Sequence, residues 1–189
     1  MGNAAAARAV GRCYGALFFS IFGGAWWLLA AYAFGRLNII GACLIAAGMV
    51  LFVISAMRLQ RRGKDAGKDA FPDEEKRRDD RIFGIINAIT WIAVFLAFQI
   101  LPRLGHQDLA IPAVVLIVGL HFFPMPPLYR HRANLVTGAC LVVWAILCPL
   151  LFNGDRMIGF AAAGAGLILW AAAAWALKTA SQLLRSAGL

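Results

Sequence analysis

The chain has 189 residues, of which 62% are hydrophobic and 14% are charged, and its formal net charge is +9. A soluble domain is less apolar and has about 25% charged residues, so this composition excludes an ordinary soluble fold and predicts a surface covered by lipid. The basic residues lie between apolar runs in separate segments. The positive charge therefore does not predict a nucleic-acid-binding protein.

Six apolar stretches follow one another along the chain, each bounded by Arg, Lys, Asp or Asn. In chain order they occupy residues 14–34, 38–57, 82–101, 109–125, 134–152 and 157–177. Roughly 20 apolar residues are needed to cross the hydrocarbon core of a bilayer. The pattern therefore predicts an all-α protein, a polytopic transmembrane bundle of six helices, with residues 1–189 forming a single transmembrane domain.

The orientation of the six spans follows from the positions of Lys and Arg. Of the 18 basic residues, all but Arg36, Arg103 and Arg156 fall on one side of the predicted membrane. Cytoplasmic loops carry the excess of Lys and Arg. We therefore predict that both the N-terminus and the C-terminus lie in the cytoplasm. The high Ala, Gly and Arg content fits a bacterial source, so the predicted location is the bacterial inner membrane.

Two segments near the cytoplasmic side admit alternatives. Arg8 and Arg12, an apolar run and then Ala31-Tyr32-Ala33 resemble a cleaved secretory signal, although the run is long and contains bulky tryptophans.

The mixed-charge segment 58–81 is interpreted as a solvated cytoplasmic linker, since its composition cannot form a core. A docking site for a cytoplasmic partner is the alternative for this linker.

The spans contain little that predicts catalysis. No Asp, Glu, Lys or Arg lies within any of them, and no Ser-His-Asp or zinc-ligand pattern is present. The four cysteines lie in or beside apolar segments without CxxC spacing, which is typical of packing residues. We therefore predict no enzyme activity, no cofactor and no metal site.

The few polar residues within the predicted spans are candidate ligand-binding residues. His121 lies near the cytoplasmic end of the fourth span, just before Pro124, which removes a backbone donor and disfavours helix at the preceding residue. Asn87 and Thr90 lie one turn apart on the third span and could face this histidine. The alternative is that His121 bonds a neighbouring helix and that Asn87 and Thr90 join helices together.

Tryptophans lie near the middle of several spans rather than at the membrane interfaces, where this residue normally collects. They are Trp26, Trp27, Trp91, Trp144 and Trp170. Such rings can line a pocket for a flat or cationic ligand, and Trp26, Trp91 and Trp144 are therefore candidate ligand-binding residues. They can equally fill the core of the bundle.

The two halves of the chain share a short pattern. Arg36 and Asn38 precede a Gly-Ala-Cys-Leu segment at the second span, and Arg132 and Asn134 precede the same segment at the fifth. The match predicts two inverted three-helix repeats with a binding site between them, as in many transporters. Both asparagines are expected to be helix N-caps.

The sixth span, 157–177, presents small residues at a spacing similar to GxxxG, with Ala162 four residues before Gly166. Such a face permits close helix packing, either within the chain or in a homodimer. We therefore predict a homodimer through this helix as one of two uses of the face.

The segment Gly119-Leu-His121-Phe-Phe-Pro124-Met125 resembles the fourth span of a group of small bacterial six-span membrane proteins that share Gly-Leu-His-Phe-x-Pro. The resemblance covers residues 82–152 and implies the fold and a membrane location, without an activity. The leading functional hypothesis is small-molecule binding or transport near His121. The alternative is a structural or partner-binding membrane protein that does not transport.

Overall fold

The computed structural model describes residues 2–64, 73–124 and 133–189, and the regular structure within these residues is helical throughout. Within these ranges one 3-10 turn, Gln107–Leu109, precedes the fourth of the six described helices. The helices are α1 (Gly2–Ala33), α2 (Ile39–Lys64), α3 (Asp73–Arg103), α4 (Ala110–His121), α5 (Ala133–Leu151) and α6 (Gly154–Ser186). The predicted all-α bundle of six helices is confirmed.

In the described part of the chain, five stretches are long and apolar enough to cross a membrane. They are Ala4–Ala33, Ile39–Gly63, Arg81–Arg103, Ala133–Leu151 and Arg156–Ser186. The remaining apolar helix, Gln107–His121 with its leading 3-10 turn, is shorter. A 12-residue helix such as α4 extends about 18 Å, against roughly 30 Å of bilayer hydrocarbon. These helices are compatible with a membrane protein in contact with lipid.

Four helices extend beyond the apolar stretches identified in the sequence. Helix α1 begins at Gly2, α2 continues to Lys64, α3 begins at Asp73 and α6 ends at Ser186. The predicted polar linker 58–81 is therefore helical at both ends, and its residues 65–72 lie outside the described part. Apolar composition marks only the part of a helix that crosses hydrocarbon, whereas Lys, Arg and Glu are themselves good helix formers.

Helix α6 lies at the centre of the bundle and packs against α1, α2, α4 and α5. It runs antiparallel to α1, because Trp170 Nε1 donates a hydrogen bond of 3.2 Å to the Ser20 carbonyl while Phe34, at the far end of α1, lies over Gly159. Helix α2 packs beside α1, and α5 packs beside α4. Helix α3 is peripheral and packs on α4 and the 3-10 turn.

Glycines let large aromatic rings enter the helix interfaces. Gly23 of α1 and Gly48 of α2 both lie against the Trp170 indole, and a Cβ at either position would overlap it. In the same way Gly166 of α6 lies against the Trp27 ring of α1. Close approach at small residues is how helices pack where lipid removes the hydrophobic driving force between them.

The two chain termini lie at the same end of the bundle. A Cβ at Gly63, near the end of α2, would lie 3.1 Å from the Leu184 side chain of α6 and 3.1 Å from Val10 of α1. A cluster of buried small residues from the same three helices, including Cys13, Ala56 and Ala180, continues inward from this junction. We call this the basic end, because Arg8, Arg62 and Arg185 lie within two residues of the contact.

The small-residue face of α6 is buried inside the chain. Ala161, Ala162 and Ala165 are at most 1% exposed, and Gly166 contacts Trp27. The face that was predicted to pack either within the chain or in a homodimer is therefore occupied by helices of the same chain. A homodimer through α6 would have to use its outer face, where Leu167 is 61% exposed, and it stays a prediction.

Helices that would be equivalent in an inverted repeat occupy different positions. Helix α3 is peripheral whereas its counterpart α6 is central, and α1 has 32 residues whereas α4 has 12. Asn38 caps α2, since its Oδ1 accepts a 2.7 Å hydrogen bond from the Gly41 amide, which confirms one expected cap. Asn134 is the second residue of α5, so the other expected cap is wrong. The repeat stays a prediction.

Candidate functional site

Helix α4 ends early, between α3 and α5. The Phe122 amide bonds to the Gly119 carbonyl at 3.2 Å, and the Phe123 amide bonds to the Leu120 carbonyl at 3.2 Å, so the last turn tightens to 3-10 geometry. Pro124 follows this turn, and a proline cannot continue the helical hydrogen-bond ladder. The sequence therefore dictates a helix terminus directly after His121.

Two glycines hold this terminus against α5. A Cβ at Gly138 would lie 2.8 Å from the Gly119 carbonyl oxygen and 2.9 Å from Phe122 Cβ. A Cβ at Gly119 would lie 2.9 Å from the backbone nitrogen of Val142. The two helices therefore meet backbone against backbone. This contact fixes the position of the last turn of α4, which carries His121.

A hydrogen bond joins His121 to α3. Its Nδ1 lies 2.7 Å from Thr90 Oγ1, and Thr90 Oγ1 in turn donates a 2.9 Å hydrogen bond to the Ile86 carbonyl. A hydroxyl has one hydrogen, so when that hydrogen is directed to the Ile86 carbonyl, Thr90 accepts from Nδ1–H of His121. In that tautomer the Nε2 of a neutral ring is a hydrogen-bond acceptor. No described residue donates to this Nε2.

Aromatic rings surround the imidazole. The Phe83 ring centroid lies 6.5 Å from that of His121 at an interplanar angle of 70°, and the Phe122 centroid lies 5.6 Å away at 85°. Phe122 is buried and packs on Phe19 of α1. On the outer side, Leu120 and Phe123 are 52% and 42% exposed. The site is therefore an apolar, ring-lined position at the bundle surface, where the imidazole is bonded to Thr90.

The site lies well inside the apolar part of the helices. Nine residues separate Arg81 from Thr90 on α3, which is about 13 Å along the helix axis. On α1, seven residues separate Arg12 from Phe19, the ring that contacts Phe122, or about 10 Å. Both distances therefore place His121 inside the apolar part of the bundle rather than at its edge.

The remaining α3 candidates have separate positions. Asn87, almost one turn before Thr90, is half-buried, and its amide makes no hydrogen bond to another described residue. Trp91 follows Thr90 by about 100° around the helix and is 56% exposed on the outside of the bundle. The structure thus brings Thr90 to His121 and directs Trp91 outwards.

The two other candidate tryptophans belong to the packed interior. Trp144 Nε1 donates a 3.1 Å hydrogen bond to the Phe160 carbonyl of α6, and its indole lies directly over Gly164. Trp26 is half-buried against the main hydrophobic cluster. These positions agree with the core-filling alternative. Among the described residues, Trp27 Nε1 is buried without an acceptor.

The described residues contain no group of three His, Cys, Asp or Glu side chains that could hold a metal ion. Cys13 and Cys148 are buried free thiols, and Cys148 Sγ donates to the Met157 carbonyl at 3.3 Å. Within the described residues, His121 can therefore accept a hydrogen bond from a ligand, but it has no neighbouring side chains that would complete a metal coordination sphere.

Sequence reasoning missed two features. The first is the ring pair Phe83 and Phe122 around His121, whose contact joins segments distant in the sequence. The second is a shallow pocket of about 520 Å³ on α6 near the basic end. It is lined by Ala174, Trp175, Lys178, Thr179 and Gln182. Because residues three or four positions apart lie on the same face of a helix, the spacing of these residues is the signal that could have identified them in the sequence.

Comparisons of the chain with protein-family models, with curated proteins and with solved structures gave no match. The resemblance carried by residues 119–125 therefore stays a prediction.

Proposed function

We propose that the protein is a multi-span inner-membrane protein that binds or transports a small membrane-soluble molecule at the end of helix α4. The observation that carries the proposal is the bond between His121 Nδ1 and Thr90, which leaves Nε2 without a donor among the described residues. An acceptor of this kind among apolar rings favours a ligand with a hydrogen-bond donor. Binding sites are typically apolar with a few placed polar groups.

The orientation proposed for this protein has both termini in the cytoplasm. The contact of Gly63 with Leu184 and Val10 supports it, because the N-terminal part of α1 and the C-terminal part of α6 meet at one end. Among the described side chains, that end carries Arg8, Arg12, Arg58, Arg61, Arg62, Lys178 and Arg185, and such residues face the cytoplasm under the positive-inside rule. His121 would then lie in the cytoplasmic half of the bundle.

The surroundings of His121 narrow the class of ligand. Phe83 and Phe122 present ring surfaces to the imidazole, and the exposed Leu120 and Phe123 border the outer side. A lipophilic molecule with an aromatic ring and a hydroxyl group matches this combination, because aromatic contacts favour the ring and Nε2 accepts from the hydroxyl. Such a ligand would enter sideways from the lipid.

The test uses a lipophilic phenol that carries a photoreactive diazirine, added to the full-length protein in lipid nanodiscs. After illumination, mass spectrometry should locate the label on α3 near Phe83 and on α4 near His121. His121→Phe preserves a ring but removes Nε2, and it should lower the labelling about fivefold, the effect of about 1 kcal/mol for one hydrogen bond.

His106→Phe is the matched control, because His106 is exposed at the opposite end of α4, and it should label as the wild type does. An excess of the same phenol without the diazirine should compete for the site. Equal labelling of wild type and His121→Phe would overturn the proposal and leave a structural or partner-binding role as the better reading of this bundle.

A further inference from the structure

The basic end of the bundle has an unusual charge distribution. Residues 2–64 and 156–189, which form α1, α2 and most of α6, contain no Asp or Glu. At the basic end, three exposed or flanking cations surround the Gly63 junction: Arg8, Arg62 and Arg185. Among the side chains that the structure describes, Asp108 is the sole carboxylate, and it lies at the other end beside the 3-10 turn.

A second tier of cations lies further along the same helices. Arg12, Arg58 and Lys178 belong to the level at which Cys13, Ala56 and Ala176 pack together. Six residues separate Lys178 from Leu184, or about 9 Å along the axis. The positive charge therefore occupies two successive levels along the helix axes rather than one flat face.

Exposed apolar and aromatic side chains lie among the second-tier cations. Tyr14, two residues from Arg12, is 57% exposed, and Trp175, three residues from Lys178, is 46% exposed. Tyr and Trp collect where hydrocarbon meets the lipid headgroups. A soluble polyanion would meet these side chains in water, whereas a membrane boundary accommodates both kinds of group. The mixture favours a lipid surface as the partner.

The pocket on α6 lies at this boundary. Its volume of about 520 Å³ is bordered by Trp175 on the apolar side and by Lys178 and Gln182 on the polar side. Thr179 does not offer its hydroxyl hydrogen, which is directed to the carbonyls of Trp175 and Ala176. Lys178 and Gln182 thus remain as donors for the phosphate group of a phospholipid. Trp175 would then lie beside the glycerol and the upper acyl chain of that lipid.

We infer that the basic end of the α1, α2 and α6 bundle is a binding surface for anionic phospholipid headgroups, with the shallow pocket at Lys178 and Gln182 as one headgroup position. Each Lys or Arg near an anionic membrane contributes about 1 kcal/mol, so even one headgroup contact at this surface favours an anionic lipid over a zwitterionic one roughly fivefold. The surface is separate from the site at His121, and neither proposal depends on the other.

The experiment reconstitutes the full-length protein in vesicles of equal phosphatidylglycerol and phosphatidylcholine, extracts it with its nearest lipids in a styrene–maleic acid copolymer, and measures the lipid ratio by mass spectrometry. Wild type should retain phosphatidylglycerol in excess over phosphatidylcholine, because each headgroup position at the basic end prefers it roughly fivefold. The triple variant Arg8→Gln, Arg62→Gln and Arg185→Gln should lose most of this excess, and Lys178→Gln alone should lose part of it.

The matched control removes the same charge from the opposite end through Arg36→Gln, Arg103→Gln and Arg156→Gln, and it should retain the wild-type ratio. Circular dichroism verifies that each variant is folded. If a triple variant does not fold, its three substitutions are tested one at a time. No excess in wild type, or an equal loss in both triple variants, would overturn the inference.

One further variant separates lipid from the chain's own acidic residues. Seven of the nine acidic residues fall between positions 65 and 80, and all seven are replaced by Asn or Gln. If phosphatidylglycerol is retained only in that variant, the cations bind this segment in the wild type and the inference is wrong. An excess already present in wild type supports it.

Discussion

Gly119 of α4 and Gly138 of α5 bring two backbones together, because a Cβ on Gly138 would lie 2.8 Å from the Gly119 carbonyl oxygen. Neither a carbonyl nor the adjacent Phe122 Cβ can move away as the tip of a flexible side chain can. The placement of His121 therefore depends on a residue, Gly138, that carries no functional group. The relationship also supplies a direct test of how α4 is held.

Gly138→Ala should lower the free energy of unfolding by about 1–3 kcal/mol, the usual effect of inserting a methyl group into a filled interface. Unfolding is measured in mixed micelles by titration with sodium dodecyl sulfate. Gly84→Ala is the control, because nothing lies within 4 Å of a Cβ there. That change should be neutral or should stabilise α3 by up to about 1 kcal/mol. A similar loss in both variants would show that the interface is not closely packed.

Thr90→Val should change the protonated nitrogen of His121. Valine matches threonine in shape but cannot accept from Nδ1–H, so the proton is no longer held on Nδ1. Nitrogen NMR of histidine-labelled protein in bilayers distinguishes the two tautomers directly. Wild type should show the Nδ1–H form, the valine variant a loss of that form, and Thr90→Ser should restore it. An unchanged spectrum in Thr90→Val would contradict the assignment.

Gly164→Ala and Trp144→Phe should act on the same contact. The alanine methyl displaces the indole, and the phenylalanine lacks the N–H that bonds to the Phe160 carbonyl. Each single change should cost about 1–3 kcal/mol. The double variant should cost less than the sum by at least about 0.5 kcal/mol, since the contact is lost only once.

The control cycle combines Gly164→Ala with Trp91→Phe, because the Trp91 side chain is largely exposed on α3. These two effects should add within about 0.5 kcal/mol. Additivity in the Trp144 cycle as well would mean that the indole does not depend on the glycine.

Asn38→Ala should destabilise the protein by about 1 kcal/mol, because it removes the side-chain acceptor for the Gly41 amide at the start of α2. Asn38→Asp keeps an acceptor at the same position and should retain most of the stability. Asn134→Ala is the comparison within α5, where the asparagine lies inside the helix, and its effect should stay below about 0.5 kcal/mol. Equal effects at the two positions would argue against the cap.

The sequence was sufficient for the number and order of the described helices, because each apolar stretch corresponds to one of them. It also predicted the cap at Asn38, since that interaction is local and depends on residue type. Helix ends were placed less well, because α1 and α6 continue into polar residues that are good helix formers. Local pattern carries no information on where such a helix stops.

The candidate site could be predicted only in part. His121 stood out through its position before Pro124, and Thr90 through being one of few polar residues on α3. Their contact, the flanking Phe83 and Phe122, and the outward position of Trp91 depend on how α3 and α4 are rotated against each other. A hydrophobic pattern that is apolar all round a helix does not specify that rotation.

The most extensive interface in the bundle joins α1 to α6, the first and last helices of the chain. During synthesis, α1 is made long before the helix that covers it. Until then, the glycines that receive Trp170 and the ring of Trp27 are without their contacts to α6. Completion of this fold must therefore wait until α6 has been made. A ribosome stalled before α6 would leave behind an unassembled chain that quality-control proteases can recognise.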